Sequence, residues 1–181
     1  VLFAQTPRLV IRRFRVADAP VFAAYRSDPE VARYQSWTPP VPLHEAAALV
    51  RTFAAGDPSL PGWFQYAIAI RATDDVLIGD IGVHLEENMM QAEIGFTLDP
   101  QYQGLGYATE AVRAMLRYLF ADRLLRRVSA ECDARNLSSA RLLERLGFRR
   151  EGLRRQHTWI KGEWTDDVLF GLLAAEFPSV P

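Results

Sequence analysis

Glu93-Ile94-Gly95-Phe96-Thr97-Leu98-Asp99-Pro100-Gln101-Tyr102-Gln103-Gly104-Leu105-Gly106-Tyr107-Ala108-Thr109-Glu110 is the stretch on which the reading of this chain turns. Glu93 to Leu98 reads as a strand, Asp99-Pro100 ends it, and a glycine loop leads into the N-terminus of a helix. Small residues at 104, 106 and 108 let a ligand approach the main chain closely. The first N–H groups of a helix have no intrahelical acceptor, and the helix dipole favours negative charge there. Such a loop is either a cradle for a pyrophosphate or a tight turn whose glycines serve geometry alone. A Walker loop needs Gly-Lys-Ser/Thr, which is absent. A dinucleotide fingerprint needs a small residue where Thr109 stands, and a parallel sheet around it. A third pattern, Gln/Arg-x-x-Gly-x-Gly/Ala, is met in full by Gln103, Gly106 and Ala108.

Upstream, Arg8 to Phe14 reads as a first strand, and Asp18 with Pro20 opens a helix to about Arg26. Tyr34 to Pro42 contains Pro39, Pro40 and Pro42 and must be a loop. A helix follows over Leu43 to Ala55. Strands over Trp63 to Arg71 and Val76 to Leu85 are joined by a turn around Thr73-Asp74-Asp75. Downstream, Leu105 to Ala121 carries an apolar helical stripe of Leu105, Ala108, Val112, Met115, Leu116 and Leu119. Val128, Ala130 and Cys132 alternate with polar residues in a strand. Asn136 opens a helix that Gly147 closes. Strands over Phe148 to Ile160 and Trp164 to Leu173 complete about seven, in one domain over residues 1–181. The expected class is α/β (α+β), a mixed sheet flanked by helices.

With 181 residues, 49% of them hydrophobic and 24% charged, the chain can bury one sizeable core. It shows no membrane-length apolar run and no signal-peptide layout. The sole cysteine, Cys132, excludes an internal disulfide or a cysteine metal cage. His44, His84 and His157 match no metal spacing, so no metal is expected. A cytoplasmic monomer or homodimer, with neither membrane nor nucleic acid as a partner, is the expectation. Net charge is only -1, yet 57–110 holds nine acidic residues against Arg71 alone. Residues 113–161 hold thirteen basic against five acidic. These charges either cover solvated faces or set a positive region for an anionic cofactor beside a negative one for a cationic substrate.

The Gln103–Ala108 pattern resembles the pyrophosphate loop of the GNAT acetyltransferases, and the resemblance runs over nearly the whole chain. Thr6-Pro7-Arg8-Leu9-Val10-Ile11-Arg12, Ser27-Asp28-Pro29-Glu30-Val31, Ile78-Gly79-Asp80-Ile81-Gly82 and Ala92-Glu93-Ile94-Gly95 are similar to segments of the RimJ/RimL-like branch, the ribosomal-protein N-terminal acetyltransferases. So are Asn136-Leu137-Ser138-Ser139, Leu146-Gly147-Phe148 and Trp164-Thr165-Asp166-Asp167. The resemblance implies a twisted, mostly antiparallel sheet splayed at its centre, with helices on both faces. It implies acetyl-CoA as co-substrate and direct attack by an amine. The acceptor would be a protein N-terminal α-amine or a small amine such as a polyamine or aminoglycoside.

The same resemblance places Phe96, Thr97 and Leu98 on the pantetheine and Gln103, Gly104, Leu105, Gly106, Tyr107, Ala108 and Thr109 at the pyrophosphate. Asn136 would contact pantetheine, and Ser139 would protonate the departing thiolate where many relatives use a tyrosine. As helix-opening residues, Asn136 and Ser139 also read as a plain cap. Glu93, in an apolar run that would raise its pKa, is the candidate base; a structural ion pair is the alternative. Asp80 is a second acidic candidate. Tyr34 and Trp37 on the proline loop read as a substrate-side lid or a packed connector, and His157 as a pocket or a surface residue. Cys132, alternating with Val128 and Ala130, reads as a small buried hydrophobe rather than a nucleophile. Two rivals remain: a non-catalytic acyl-CoA-binding module and, more remotely, a nicotinamide enzyme.

Overall fold

Phe64, Tyr66 and Ile68 bury on one side of a strand while Ala67 between them buries on the other, each set joining a different hydrophobic cluster. That alternation makes a sheet with a core on both faces. The computed structural model describes residues 2–72 and 75–178; Thr73 and Asp74, in the expected turn, lie outside the described residues. In chain order the elements are β1 (Leu2–Gln5), β2 (Leu9–Arg13), α1 (Ala19–Arg26), α2 (Pro29–Ala32), α3 (Leu43–Ala55), β3 (Gly62–Ile70) and β4 (Val76–Leu85). They continue as β5 (Gln91–Leu98), α4 (Tyr107–Arg117), β6 (Arg127–Asp133), α5 (Leu137–Arg145), β7 (Arg149–Ile160) and β8 (Glu163–Leu173).

The strands form one eight-stranded sheet in the order β1-β2-β3-β4-β5-β6-β8-β7. Every neighbouring pair is antiparallel except β5 and β6, which α4 connects as a crossover. Val112, Met115 and Leu116 of α4 and Leu142 and Leu143 of α5 pack on Ile94, Val128 and Phe170. On the opposite face Phe22 and Tyr25 of α1 and Ala46 and Val50 of α3 cover Ala67 and Leu77. The expected mixed, mostly antiparallel sheet with helices on both faces is therefore present.

Four details differ from expectation. The sheet has eight strands rather than about seven, because β1 is a four-residue edge strand too short to show alternation. The helix expected from Leu105 begins at Tyr107, since Gly106 sits at φ +82 and cannot be helical; Leu105 is 58% exposed. A π-helical turn over Tyr118–Asp122 follows its last α-helical residue, Arg117. Asp18 does precede α1 but makes no side-chain cap; it takes the buried Arg12 guanidinium through two bonds of 2.8 Å.

Candidate active site

The parallel β5–β6 ladder is short. Gln91 pairs with Arg127, Ala92 with Val128 and Glu93 with Ser129, and no further pair joins the two strands. Beyond that point β5 stays bound to β4 as far as Leu98, and β6 stays bound to β8 as far as Asp133. The two strands thus part on their inner edges alone, leaving main-chain donors and acceptors that need a partner. Into this gap opens a cleft of about 930 Å³.

The cleft gathers residues distant in sequence. Phe96, Thr97 and Leu98 line it from β5, Gln103, Gly104 and Gly106 from the loop, and Ala108 and Thr109 from the start of α4. Asn136 and Ser139 line it from the start of α5, and Tyr34 from the segment after α2. Leu105 and Tyr107, also expected here, are not among its lining residues.

Local chemistry shapes the loop. Asp99 accepts from the Gln101 N–H at 2.9 Å, and the Gln103 side-chain amide donates to the Leu98 carbonyl at 2.9 Å. Gly104 and Gly106 both take left-handed φ, +74 and +82, which other residues adopt only with strain. The Glu110 N–H donates to the Gly106 carbonyl at 3.1 Å, closing the first turn of α4. The N–H groups of Tyr107, Ala108 and Thr109 precede that bond and are the helix's unpaired donors. Such a set of donors at a helix start holds an anion, and Arg141 and Arg145, one turn apart on α5, line the same cleft.

Glu93 stands at the last paired position before the strands part. Its neighbours Ala92 and Ile94 are buried under α4, so its own side chain points to the opposite face. Burial pushes its carboxyl above the ordinary range, and Glu131 and Glu86 add to this while His84 and Arg154 oppose it. Ser139 lies on α5, on the other side of the gap. Its N–H donates to the Asn136 carboxamide oxygen at 3.2 Å, so the expected cap is present. Its hydroxyl has no hydrogen-bond partner among the described residues.

The remaining expected residues, Asp80, Trp37 and His157, are, like Glu93, not among the residues that line the cleft. Asp80 is fully buried: one oxygen accepts from Arg26 at 2.7 Å and from Gln65, the other from the Tyr25 hydroxyl. Burial and then Asp80 push the Tyr25 phenol well above its usual value. The Trp37 indole N–H donates to the Arg26 carbonyl at 2.9 Å, and its ring lies 4.0 Å from the Arg26 guanidinium. Trp37 is therefore tied to Asp80 through Arg26. Lys161, at the tip of the β7–β8 hairpin, donates to the carbonyls of Gln35, at 2.9 Å, and Ala32. His157 faces the nearly buried Asp167 at 3.1 Å, and Thr158 donates to the same oxygen at 2.6 Å.

Residues overlooked in the sequence are mostly arginines. Arg26 holds Asp80 and Trp37 together, and Arg135 neutralises the buried Asp133 at 2.7 Å and reaches Glu163 at 2.9 Å. The i, i+4 spacing of Arg141 and Arg145 after the cap at Asn136 is a signal that would have put both on one helix face. Burial pushes the Cys132 thiol up to about 11, so it stays protonated near neutrality and is a poor nucleophile. Among the described residues no group of three His, Cys, Asp or Glu is placed to hold a metal ion, and no helix is long and apolar enough to cross a membrane.

Residues 8–149 match the acetyltransferase (GNAT) domain family. The chain is 35% identical over 174 residues to the N-acetyltransferase p20 of Bacillus licheniformis, covering 95% of this chain and 96% of that protein. It is 33% identical over 84 residues to the [ribosomal protein uS5]-alanine N-acetyltransferase of Escherichia coli, 46% of this chain and 43% of that one. An acetyltransferase of the GNAT family from Bacillus anthracis superposes with a TM-score of 0.87 at 27% identity, covering 97% of this chain and all of that one.

Proposed function

The chain belongs to the GNAT acetyltransferases and is an N-acetyltransferase, and from that premise we propose that it moves the acetyl group of acetyl-CoA directly onto a protein N-terminal α-amine. The observation that carries this is the gap that opens at Glu93, with a glycine loop and helix start beside it in one cleft. In this reading the pantetheine follows Phe96 to Leu98 along the free edge of β5, as an added strand would. The pyrophosphate meets the N–H groups at the start of α4, with Arg141 and Arg145 adding positive charge.

The thioester then lies in the gap, between Glu93 on one face and Ser139 on the other. An ammonium ion has no lone pair, so Glu93 removes its proton, directly or through water. The amine attacks the thioester carbonyl to give a tetrahedral adduct, and collapse breaks the C–S bond. The adduct nitrogen gives up its second proton to water, the thiolate of CoA leaves and takes the proton of the Ser139 hydroxyl, and the serine regains one from that water. The buried Asp80–Arg26 pair acts by holding Trp37 and the acceptor-side wall, because the carboxylate's own oxygens are already occupied. One continuous sheet supports reading the chain as one catalytic domain, and its lone cysteine suits a reducing compartment such as the cytoplasm.

The acceptor class rests on similarity to the uS5-alanine acetyltransferase over less than half of each chain. A small polycationic amine is the second reading, favoured by the carboxylates of Glu86 and Glu131 around Glu93. The test offers acetyl-CoA with peptides beginning in alanine or serine, and separately with spermidine, while following release of the CoA thiol and the mass of the products. Acetylation of the peptide α-amine is expected. Turnover of spermidine alone would move the assignment to the second reading. CoA binding with no transfer to either class would favour an acyl-CoA-binding module instead.

A further inference from the structure

The segment from Gly104 to Glu110 has two sides. Residues 104, 106, 108 and 109 line the cleft, and Leu105, Tyr107 and Glu110 turn away from it toward Arg8, just ahead of β2. The Arg8 guanidinium donates to the Leu105 carbonyl at 3.1 Å and to the Glu110 carboxylate at 2.6 Å. Its central carbon lies 4.3 Å from the centre of the Tyr107 ring. The Arg8 N–H and the Thr6 hydroxyl complete the grip on Glu110, at 3.3 and 2.5 Å. One side chain thus holds the rear of the loop at Leu105, Tyr107 and Glu110.

Charge gives this grip a consequence for binding. Glu110 lies in the first turn of α4, where a carboxylate suits the helix dipole but repels a second anion at the same helix start. Burial pushes its carboxyl up, and the hydrogen bonds from Thr6 and Arg8 outweigh this and hold it below the usual range, so it is ionised near neutrality. Arg8 is the cation in direct contact with it. Because Arg8 is itself partly exposed, its bridge to Glu110 adds little to fold stability. Its effect falls on what approaches the loop.

We propose that Arg8 is a positioning residue for the cofactor loop, bracing Leu105 and Tyr107 from behind and cancelling the Glu110 charge so that a diphosphate can bind at the start of α4. This rests on the reading that the loop holds the CoA pyrophosphate.

The experiment is calorimetric titration of CoA into the full chain and its variants, with melting curves for each. Arg8→Gln, which keeps the length but drops the charge, is expected to weaken CoA about ten-fold with little change in melting temperature. Glu110→Gln added to it should recover most of that loss, because the unneutralised carboxylate is gone. Arg8→Lys, keeping charge but not the planar fork, should bind about three-fold more weakly than wild type. A double variant no tighter than Arg8→Gln would overturn the charge argument, and wild-type affinity in Arg8→Gln would overturn the whole proposal. Should Arg8→Gln not fold, wild-type affinity in Arg8→Lys would overturn the bracing by the planar fork, and wild-type affinity in Arg8→Met would overturn the whole proposal. If the wild type itself binds no CoA, the pyrophosphate reading of the loop fails, an outcome distinct from any of these.

Discussion

The two sides of the gap between β5 and β6 are built by different means. On the proposed cofactor side, main chain is shaped over a few residues, braced from behind by the distant Arg8: Gln103 reaches back five positions to Leu98, Asn136 reaches forward three to Ser139, and two glycines set the turn. On the side we propose for the acceptor, side chains come together from far apart. Asp80 meets Arg26 across 54 positions, and Lys161 meets Gln35 across 126. A ligand shared by a whole family can be held by backbone groups that any sequence supplies. An acceptor that differs from enzyme to enzyme needs walls that side chains can rebuild.

Glu93 belongs to neither side, and its removal should have the largest effect. Glu93→Gln is expected to lower kcat by roughly 10²–10⁴-fold, the range for loss of a general base, with CoA affinity unchanged. Steady-state kinetics with whichever amine the wild type accepts would check it. Near-normal turnover would give the proton to another group or to water and erase the seam between the two sides.

Next comes the acceptor wall. Asp80→Ala leaves the Arg26 guanidinium buried without its partner, which should destabilise the fold by about 3–5 kcal/mol. Urea unfolding measures this. At temperatures where the variant remains folded, CoA should bind within about two-fold of wild type, since the local bonds of the loop do not involve Asp80. Equal loss of CoA affinity and stability would mean that the two sides are one cooperative unit.

Gly106→Val tests the other side in the same way. Valine resists the left-handed conformation at φ +82, and its Cβ would come 3.5 Å from the Arg8 guanidinium behind the loop, so the loop must shift to accept it. CoA should bind at least about ten-fold more weakly by calorimetry, from lost N–H contacts worth on the order of 1–3 kcal/mol. The environment of Trp37, one of four tryptophans, followed by its own indole N–H resonance, should stay as it is.

The same contrast explains what could be read from the sequence. The cofactor loop was legible because its determinants are adjacent: a strand end at Asp99-Pro100, Gln103, the small residues and a helix start. Even there the apolar stripe predicts a helix start two residues early, since a left-handed Gly106 turns Leu105 outward and breaks the stripe. Strand β1 was missed because four edge residues give no periodicity. Asp80 stood out as acidic, but nothing nearby in sequence announces that Tyr25, Arg26 and Gln65 fill its oxygens. Asp18 has the spacing of a cap and instead serves Arg12, because a buried guanidinium left without a carboxylate is costly.

The smallest effect separates Glu93 as a base from Glu93 as a structural carboxylate. A base must be ionised to work, so kcat falls as pH drops through its pKa. Burial raises that pKa, and the acidic limb should therefore lie at higher pH than for a glutamate in water. Four charged or ionisable neighbours tune it: Glu131 and Glu86 push it up, and His84 and Arg154 pull it down. Glu131→Gln removes a repelling charge, makes ionisation of Glu93 easier and should move the limb to lower pH. His84→Asn removes a favourable one and should move it to higher pH wherever His84 is protonated. Each shift should be a fraction of a pH unit, because the pair is only half-buried and screened by water. The check is kcat against pH for the two variants, each beside the wild type. Opposite shifts would tie the limb to Glu93 through its neighbours. Shifts of the same sign, or none, would place the titrating group elsewhere and leave Glu93 a structural residue at the point where the strands part.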